Sequence, residues 1–272
     1  TTHCCLQLIM KISVYIIAFN EADKIRDCIN SVFWADEIVV VDSNSTDGTT
    51  EIAESLGAKV VHIPFSGYGN LRNKAISYCT KDWILSIDSD ERCTEVVRDE
   101  ILSLIKTTSI DIFKIPRKNY FMGKWIKHSG WYPNYRQPQL FRSGKMSYDS
   151  MPVHEGYISH SDKKIGVLKN NIWQFPFKNT EEVIYKANRY STLGVSKLQD
   201  RGINGSVLKG FIHGSWSFIK HYIFKLGFLD GSAGFVIAFG NFEGTFYRYV
   251  KLSEVQADWK PPKSNIIQKI NK

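Results

Sequence analysis

The stretch Trp83-Ile84-Leu85-Ser86-Ile87-Asp88-Ser89-Asp90-Glu91 decides the fold. A short apolar run ends abruptly in carboxylates, the pattern of a buried strand that stops at a functional rim. The same form occurs upstream. Ile12–Ala18 runs into Phe19-Asn20-Glu21, and Glu37–Val41 runs into Asp42-Ser43-Asn44-Ser45-Thr46-Asp47-Gly48, while Ala58–Ile63 reads as a further strand. Between them lie helical stretches: Glu21–Phe33 with Asn20 as its cap, Thr49–Leu56 closed by Gly57, Tyr68–Cys79, and Thr94–Lys106. Apolar, β-branched strands interleaved with amphipathic helices predict an α/β fold with a mostly parallel sheet covered on both faces. In such sheets ligands bind at the carboxyl ends of the strands.

Beyond about residue 107 the alternation stops. Short strands at Ile112–Ile115, Gln139–Phe141 and Ile165–Leu168 are separated by loops rich in Gly, Pro and aromatics, Phe121–Tyr135 among them. Thr180–Gln199 reads as a helix, and after Gly205 come two apolar, aromatic-rich helical stretches at Val207–Phe228 and Gly231–Leu252. The expected organisation is an upstream extension (1–9), a domain over 10–205 with halves 10–105 and 106–205, and a helical basic module over 206–272.

With 272 residues, 43% of them hydrophobic and 23% charged, the chain can bury a globular core. Its net charge of +8 invites a nucleic-acid reading, which the distribution removes. Residues 1–105 hold 9 basic and 16 acidic side chains, residues 106–200 hold 16 and 7, and residues 201–272 hold 10 and 4. An acidic front and a basic back face different partners, and no nucleic-acid recognition motif is present. The five cysteines (Cys4, Cys5, Cys28, Cys79, Cys93) form no CxxC pair, so reduced thiols and a cytoplasmic setting are expected. No apolar run reaches the ~18 residues of a membrane-spanning helix.

Asp88 and Asp90 can converge on one hard cation, Mn²⁺ or Mg²⁺, which takes one or two protein carboxylates together with phosphate oxygens. The plainer alternative is a strand-end Asp that caps the next helix. Asp42-Ser43-Asn44-Ser45-Thr46 partly mimics a phosphatase DxDxT, but Asn44 stands where that chemistry needs a second Asp. Ser45 to Gly48 read as turn and cap residues, and Asp42 as the functional one. Arg72-Asn73-Lys74 forms a basic fork suited to a diphosphate, or a solvated helix face.

Ile16–Glu21, Ile38–Thr49, Arg72-Asn73 and Trp83–Glu91, in this order and spacing, resemble family 2 nucleotide-sugar glycosyltransferases of the GT-A fold. Gln137–Arg142, Val153-His154-Glu155, Lys186–Tyr190 and Phe228–Gly231 are similar to the bacterial lipopolysaccharide inner-core β-glucosyltransferases of that family. The resemblance implies a Rossmann-like sheet with a C-terminal helical extension, which the aromatic and basic residues of the tail make a membrane-associating one. It implies that Ala18, Asn20 and Glu21 border the nucleotide, that Asp42 holds the base, and that Arg72 faces base or diphosphate. Asp88, Ser89 and Asp90 would form the DxD element, with Asp90 the main metal ligand. Gln139 and Arg142 would flank the site. Many relatives carry Glu-Asp where this chain reads His154-Glu155, the place of the catalytic base.

Glu155 is the expected base, because a carboxylate beside a metal stays ionised and still accepts a proton. His154 would ligate the metal or orient Glu155. The expected reaction inverts the anomeric carbon of the transferred sugar, and the resemblance implies UDP-glucose as donor and a lipopolysaccharide core or related anionic glycolipid as acceptor. Trp125, Trp131 and Tyr132 belong to an aromatic loop that suits a lid over a sugar or a packed cover. Lys186 and Arg189 are acceptor-side candidates. The tail, where Phe211, Trp216, Tyr222 and Phe224 mix with Lys209, Lys220 and Lys225, suits a membrane surface or a helix pair packed on the domain. The expected location is cytoplasmic and, on the first of these readings, peripheral on the inner face of a bacterial inner membrane. Two other classes stand against this reading: a sugar-phosphate nucleotidyltransferase, which lacks here a Gly-rich basic loop after the first strand, and a non-catalytic nucleotide-binding scaffold.

Overall fold

The computed structural model describes residues 10–133, 135, 137–149 and 156–257. They form two compact units, one running to Trp125 and resuming at Trp131–Pro176, the other made of Ile126–Gly130 and the chain from Phe177 onward. The second unit thus takes in residues 177–205 along with the tail. The cause is the helix at Thr180–Asp200, whose Val195 and Leu198 share a small core with Tyr249 and Leu252 of the tail.

In the first unit the alternation is observed as β1 (Ile12–Ala18), α1 (Ala22–Ser31), β2 (Glu37–Asp42), α2 (Thr49–Ser55), β3 (Lys59–His62), α3 (Tyr68–Tyr78), β4 (Trp83–Asp88), β5 (Glu91–Arg92) and α4 (Glu95–Thr107). Then come β6 (Ile112–Lys114), β7 (Arg117–Phe121), β8 (Lys124–Trp125), β9 (Pro138–Arg142), β10 (Met146–Tyr148), β11 (Tyr157–Ser159), β12 (Gly166–Val167) and β13 (Ile172–Gln174). The main sheet has the order β12-β6-β9-β4-β1-β2-β3. Its β4-β1-β2-β3 part is parallel, and β9 runs antiparallel between β4 and β6. A second sheet, β5-β13-β7-β8, begins directly after the Asp88–Asp90 turn.

The apolar runs are continuous because both faces are covered. On β1, Ile12, Val14, Ile16 and Ala18 face a core shared with Ile25 and Ile29 of α1 and Val97 and Ile101 of α4. Tyr15 and Ile17 face the opposite core, shared with Leu71 and Ala75 of α3. α4 starts as expected, its Thr94 side chain accepting the Val97 N–H. α1 does not. Its cap position is Glu21, with no side-chain cap bond, and Asn20 lies in the left-handed region at φ 54°.

The second unit contains α5 (Thr180–Asp200), α6 (Val207–Ile219) and α7 (Ser232–Ala257). The single helix expected over 207–228 gives way to a π-turn at Lys220–Phe224 and a 3₁₀ turn at Gly227–Asp230. Asp230 is buried and gathers the 126–130 segment. Its carboxylate accepts the N–H groups of Lys127 (3.1 Å) and His128 (3.1 Å) and the Ser129 hydroxyl (3.0 Å). Among the described residues no helix is long and apolar enough to cross a membrane.

Candidate active site

The carboxyl ends of β1, β2 and β4 meet at one rim. Register places Asp42 beside Ala18 and Asp88 beside Ile17, so the two acidic strand ends flank β1 on either side. Two strand spacings separate them by about 10 Å, a gap that a nucleoside and its diphosphate bridge.

The loops after β1 and β2 are stitched together. Asn20 N–H donates to Ser45 Oγ (2.8 Å), Glu21 N–H to Thr49 Oγ1 (2.9 Å) and Ala22 N–H to Asp47 Oδ2 (3.0 Å). In return the Asn20 side-chain oxygen accepts from Thr46 N–H (2.9 Å). The free N–H groups opening α1 are thus satisfied from the neighbouring loop, which is why Asn20 does not serve as the cap. Asp42 is fully buried at the base of this loop. It accepts from the Ser45 N–H (2.8 Å) and hydroxyl, and His62 Nδ1 lies 3.3 Å away. Glu21 pairs with Lys24 at 3.4 Å.

On the other side of β1, Arg72 reaches from α3 to Asp88 (2.7 Å) and to the Ser86 hydroxyl (3.0 Å), with its guanidinium over the Tyr148 ring. Desolvation works to lower the Arg72 pKa, but the Asp88 charge overrides it and raises it well above the usual range. The turn from Asp88 to Glu91 is held at every backbone carbonyl. Asp88 O accepts from the Cys28 thiol (3.3 Å), Ser89 O and Glu91 O from Arg92 (2.8 Å each), and Asp90 O from Phe175 N–H (2.8 Å). Ser89 is buried and takes part through this carbonyl.

Glu91 closes the turn from beneath. Its Oε2 accepts Asp88 N–H (3.1 Å) and the Gln139 amide (2.8 Å), while Arg117 Nε stands 2.5 Å from Oε1. Glu91, Arg117 and Gln139 are all buried. Burial raises the Glu91 carboxyl, with Arg117 opposing. Asp90 is pushed up to about 7, first by burial and then by the charges of Asp88 and Glu91. Crowded like charges of this kind are relieved when a cation binds. Among the described residues no three His, Cys, Asp or Glu side chains converge into a ready-made metal cage. Asp88 and Asp90 nevertheless fit the sparse carboxylate set of a cation whose remaining ligands are phosphate oxygens.

The other expected site residues are spread more widely. Gln139 reaches the site indirectly, through Glu91 and the Ser86 carbonyl (3.1 Å). Arg142 does not join it. It pairs with Trp83 at the opposite end of β4, where it meets Asp111 (3.2 Å) and the Thr108 carbonyl (3.0 Å). The reason is the antiparallel run of β9, which carries each later residue away from the rim. In the aromatic loop Trp125 packs edge-on against Tyr132 with centroids 5.3 Å apart, and the Trp131 carbonyl accepts from Asn119. Lys186 and Arg189 lie on α5 of the other unit, Lys186 paired with Glu182 at 2.9 Å. His154 and Glu155 lie outside the described residues.

Sequence reasoning missed the Glu91–Arg117 brace. The available signal was Glu91 itself, a carboxylate directly after the DxD with no helix to cap.

Residues 13–161 match the model of glycosyl transferase family 2. An uncharacterized glycosyltransferase of Rickettsia bellii is 32% identical over 93% of this chain and 90% of its own length. The lipopolysaccharide core biosynthesis glycosyltransferase LpsC of Rhizobium meliloti is 28% identical over 85% of this chain and 90% of its own. A solved structure of glucosyl-3-phosphoglycerate synthase from Mycobacterium tuberculosis, with Mn²⁺, UDP and glucosyl-3-phosphoglycerate, is 27% identical over 41% of this chain and 44% of that one, at a TM-score of 0.36. Acidic strand ends about β1, the DxD turn and the parallel sheet beneath them all lie within the matched residues, and the chain belongs to glycosyl transferase family 2.

Proposed function

We propose that this glycosyltransferase moves glucose from UDP-glucose, with inversion at the anomeric carbon and with Mn²⁺ or Mg²⁺, onto a lipopolysaccharide-core or related anionic glycolipid. The carrying observation is the rim itself: Asp42 and Asp88 on either side of β1, with Asp90 on a turn whose carbonyls are already engaged. The likeness to a lipopolysaccharide core glycosyltransferase supports the acceptor class.

In this reading Asp42 takes the base, and Ala18, Asn20 and Glu21 border the nucleotide. Asp88 and Asp90 hold the cation, which when bound supplies charge neutralisation to the departing diphosphate. Arg72, fixed between Asp88 and Ser86, lends its positive charge to the same phosphates. The acceptor hydroxyl attacks the anomeric carbon as Glu155 removes its proton, with His154 orienting Glu155 or joining the cation. Trp125, Trp131 and Tyr132 cover the sugar, and Lys186 and Arg189 receive acceptor phosphates. The protein works peripherally at the inner face of the inner membrane.

Thermal unfolding with UDP-glucose, with and without Mn²⁺, together with assay of the released nucleotide, tests the reading. Donor at a hundredfold over its Kd should stabilise the chain by about 2.7 kcal/mol, and only with the cation. Glu155→Gln should keep that stabilisation and lose transfer. Normal transfer by Glu155→Gln, or release of pyrophosphate in place of UDP, overturns it.

A further inference from the structure

We propose that the outward face of α6 and the turn after it docks on a lipid bilayer bearing anionic headgroups. α6 packs on α7 through its smallest residues. A Cβ at Gly210 would lie 2.8 Å from the Phe246 carbonyl, and one at Gly214 2.9 Å from the Phe242 ring. Large apolar side chains cover the rest of the helix: Leu208 is 67% exposed and Ile212 and Trp216 are each 56% exposed, while Phe211, also 56% exposed, meets Phe242 of α7 edge-on. At roughly 100° per residue these four and Ile219 share one half of the helix. A helix that only packed on its own domain would turn this half inward. Phe224, 67% exposed, extends the patch past the helix end.

The charge around the patch selects its occupant. From Arg201 to Leu229 the sequence holds no Asp or Glu, while the exposed Lys209 and Lys220 border the apolar half. Aromatic and aliphatic side chains outward, with lysines along the edge and no carboxylate within the segment itself, match the headgroup region of an anionic bilayer. A second copy of the chain would bring the same uncompensated lysines face to face. The proposal supplies the surface on which a glycolipid acceptor lies. It rests on that reading for its purpose, while its observations are independent of catalysis.

The test is sedimentation of the full chain with vesicles that contain no acceptor sugar, made either of phosphatidylcholine alone or with phosphatidylglycerol added. The native chain should pellet with the anionic vesicles. Lys209→Gln with Lys220→Gln should weaken this by roughly 30-fold, at about 1 kcal/mol per lysine. Phe211→Ser with Trp216→Ser should reduce partitioning into both vesicle types, while UDP-glucose stabilisation stays unchanged. Equal partitioning into neutral and anionic vesicles overturns the proposal, as does partitioning that ignores all four substitutions. A dimer in sedimentation velocity that Phe211→Ser with Trp216→Ser dissociates would assign the face to a second copy and also overturn it. Failed docking with intact transfer to a solubilised acceptor refutes the surface alone, whereas docking without transfer refutes the catalytic reading alone.

Discussion

Glu91 holds the backbone N–H of Asp88 at 3.1 Å while Arg117 holds Glu91 at 2.5 Å, so one buried ion pair sets the start of the Asp88–Asp90 turn. Removing one partner strands the other charge in the core, at a cost of about 3–5 kcal/mol. Glu91→Gln and Arg117→Met should each lower urea-unfolding stability by that order, and the double variant by less than their sum. Glu91→Gln should also weaken donor affinity more than it slows turnover, read as a KM-against-kcat split.

Asp90 carries the opposite tension. Its carboxyl is held up at about 7 by burial and by its acidic neighbours. Asp90→Asn removes that repulsion, so the cation-free chain should melt at a higher temperature than the native one at pH 8. The same variant should lose donor turnover and its stabilisation by Mn²⁺. A lower melting temperature would mean that its contact with Gln174 outweighs the repulsion.

The described thiols predict an alkaline limit. Burial raises Cys79 and Cys93 to about 12, and Cys28 well above its usual value. Unfolded thiols ionise near 8.5, so from there upward the unfolded chain binds fewer protons than the native one. Stability should therefore fall as pH rises from about 8.5 toward 12, and be unaffected by these groups below that window. Iodoacetamide at pH 8 should label Cys28 and Cys93 at the rate of global opening; fast labelling of the native chain would refute it.

Asp230 anchors three successive residues, Lys127 to Ser129. Asp230→Ala removes the acceptor that these donors share, at about 1–3 kcal/mol for the buried Ser129 hydroxyl and less for the partly exposed N–H groups. Trypsin should then cut after Lys127 markedly faster than in the native chain, and unchanged cleavage would show that other contacts hold the segment.

The features legible in the sequence are those that are local in it. The strands β1, β2 and β4 declare themselves by apolar runs that end in acid, and Thr94 by its place before an amphipathic stretch. Asn20 misleads because a helix cap is normally local, whereas the N–H groups of α1 are met by Asp47 and Thr49 from the adjacent loop. Arg142 is misplaced because nothing within β9 tells which way it runs beside β4. Glu91 meets Arg117 and Gln139 only after the second half of the unit has folded against the first, so no spacing within 83–91 could reveal the brace.

The reversed direction of β9 has a lasting effect on how this scaffold can change. A parallel strand presents to the rim only the loop at its carboxyl end, but β9 presents the segment at its amino end, the stretch leading into Pro138 and Gln139. The rim thus gains, at Gln139, a contribution from the start of a strand where its parallel neighbours contribute their ends. Changes just before β9 would act at the rim, whereas changes at Arg142 itself act at the far end of the sheet, beside Trp83.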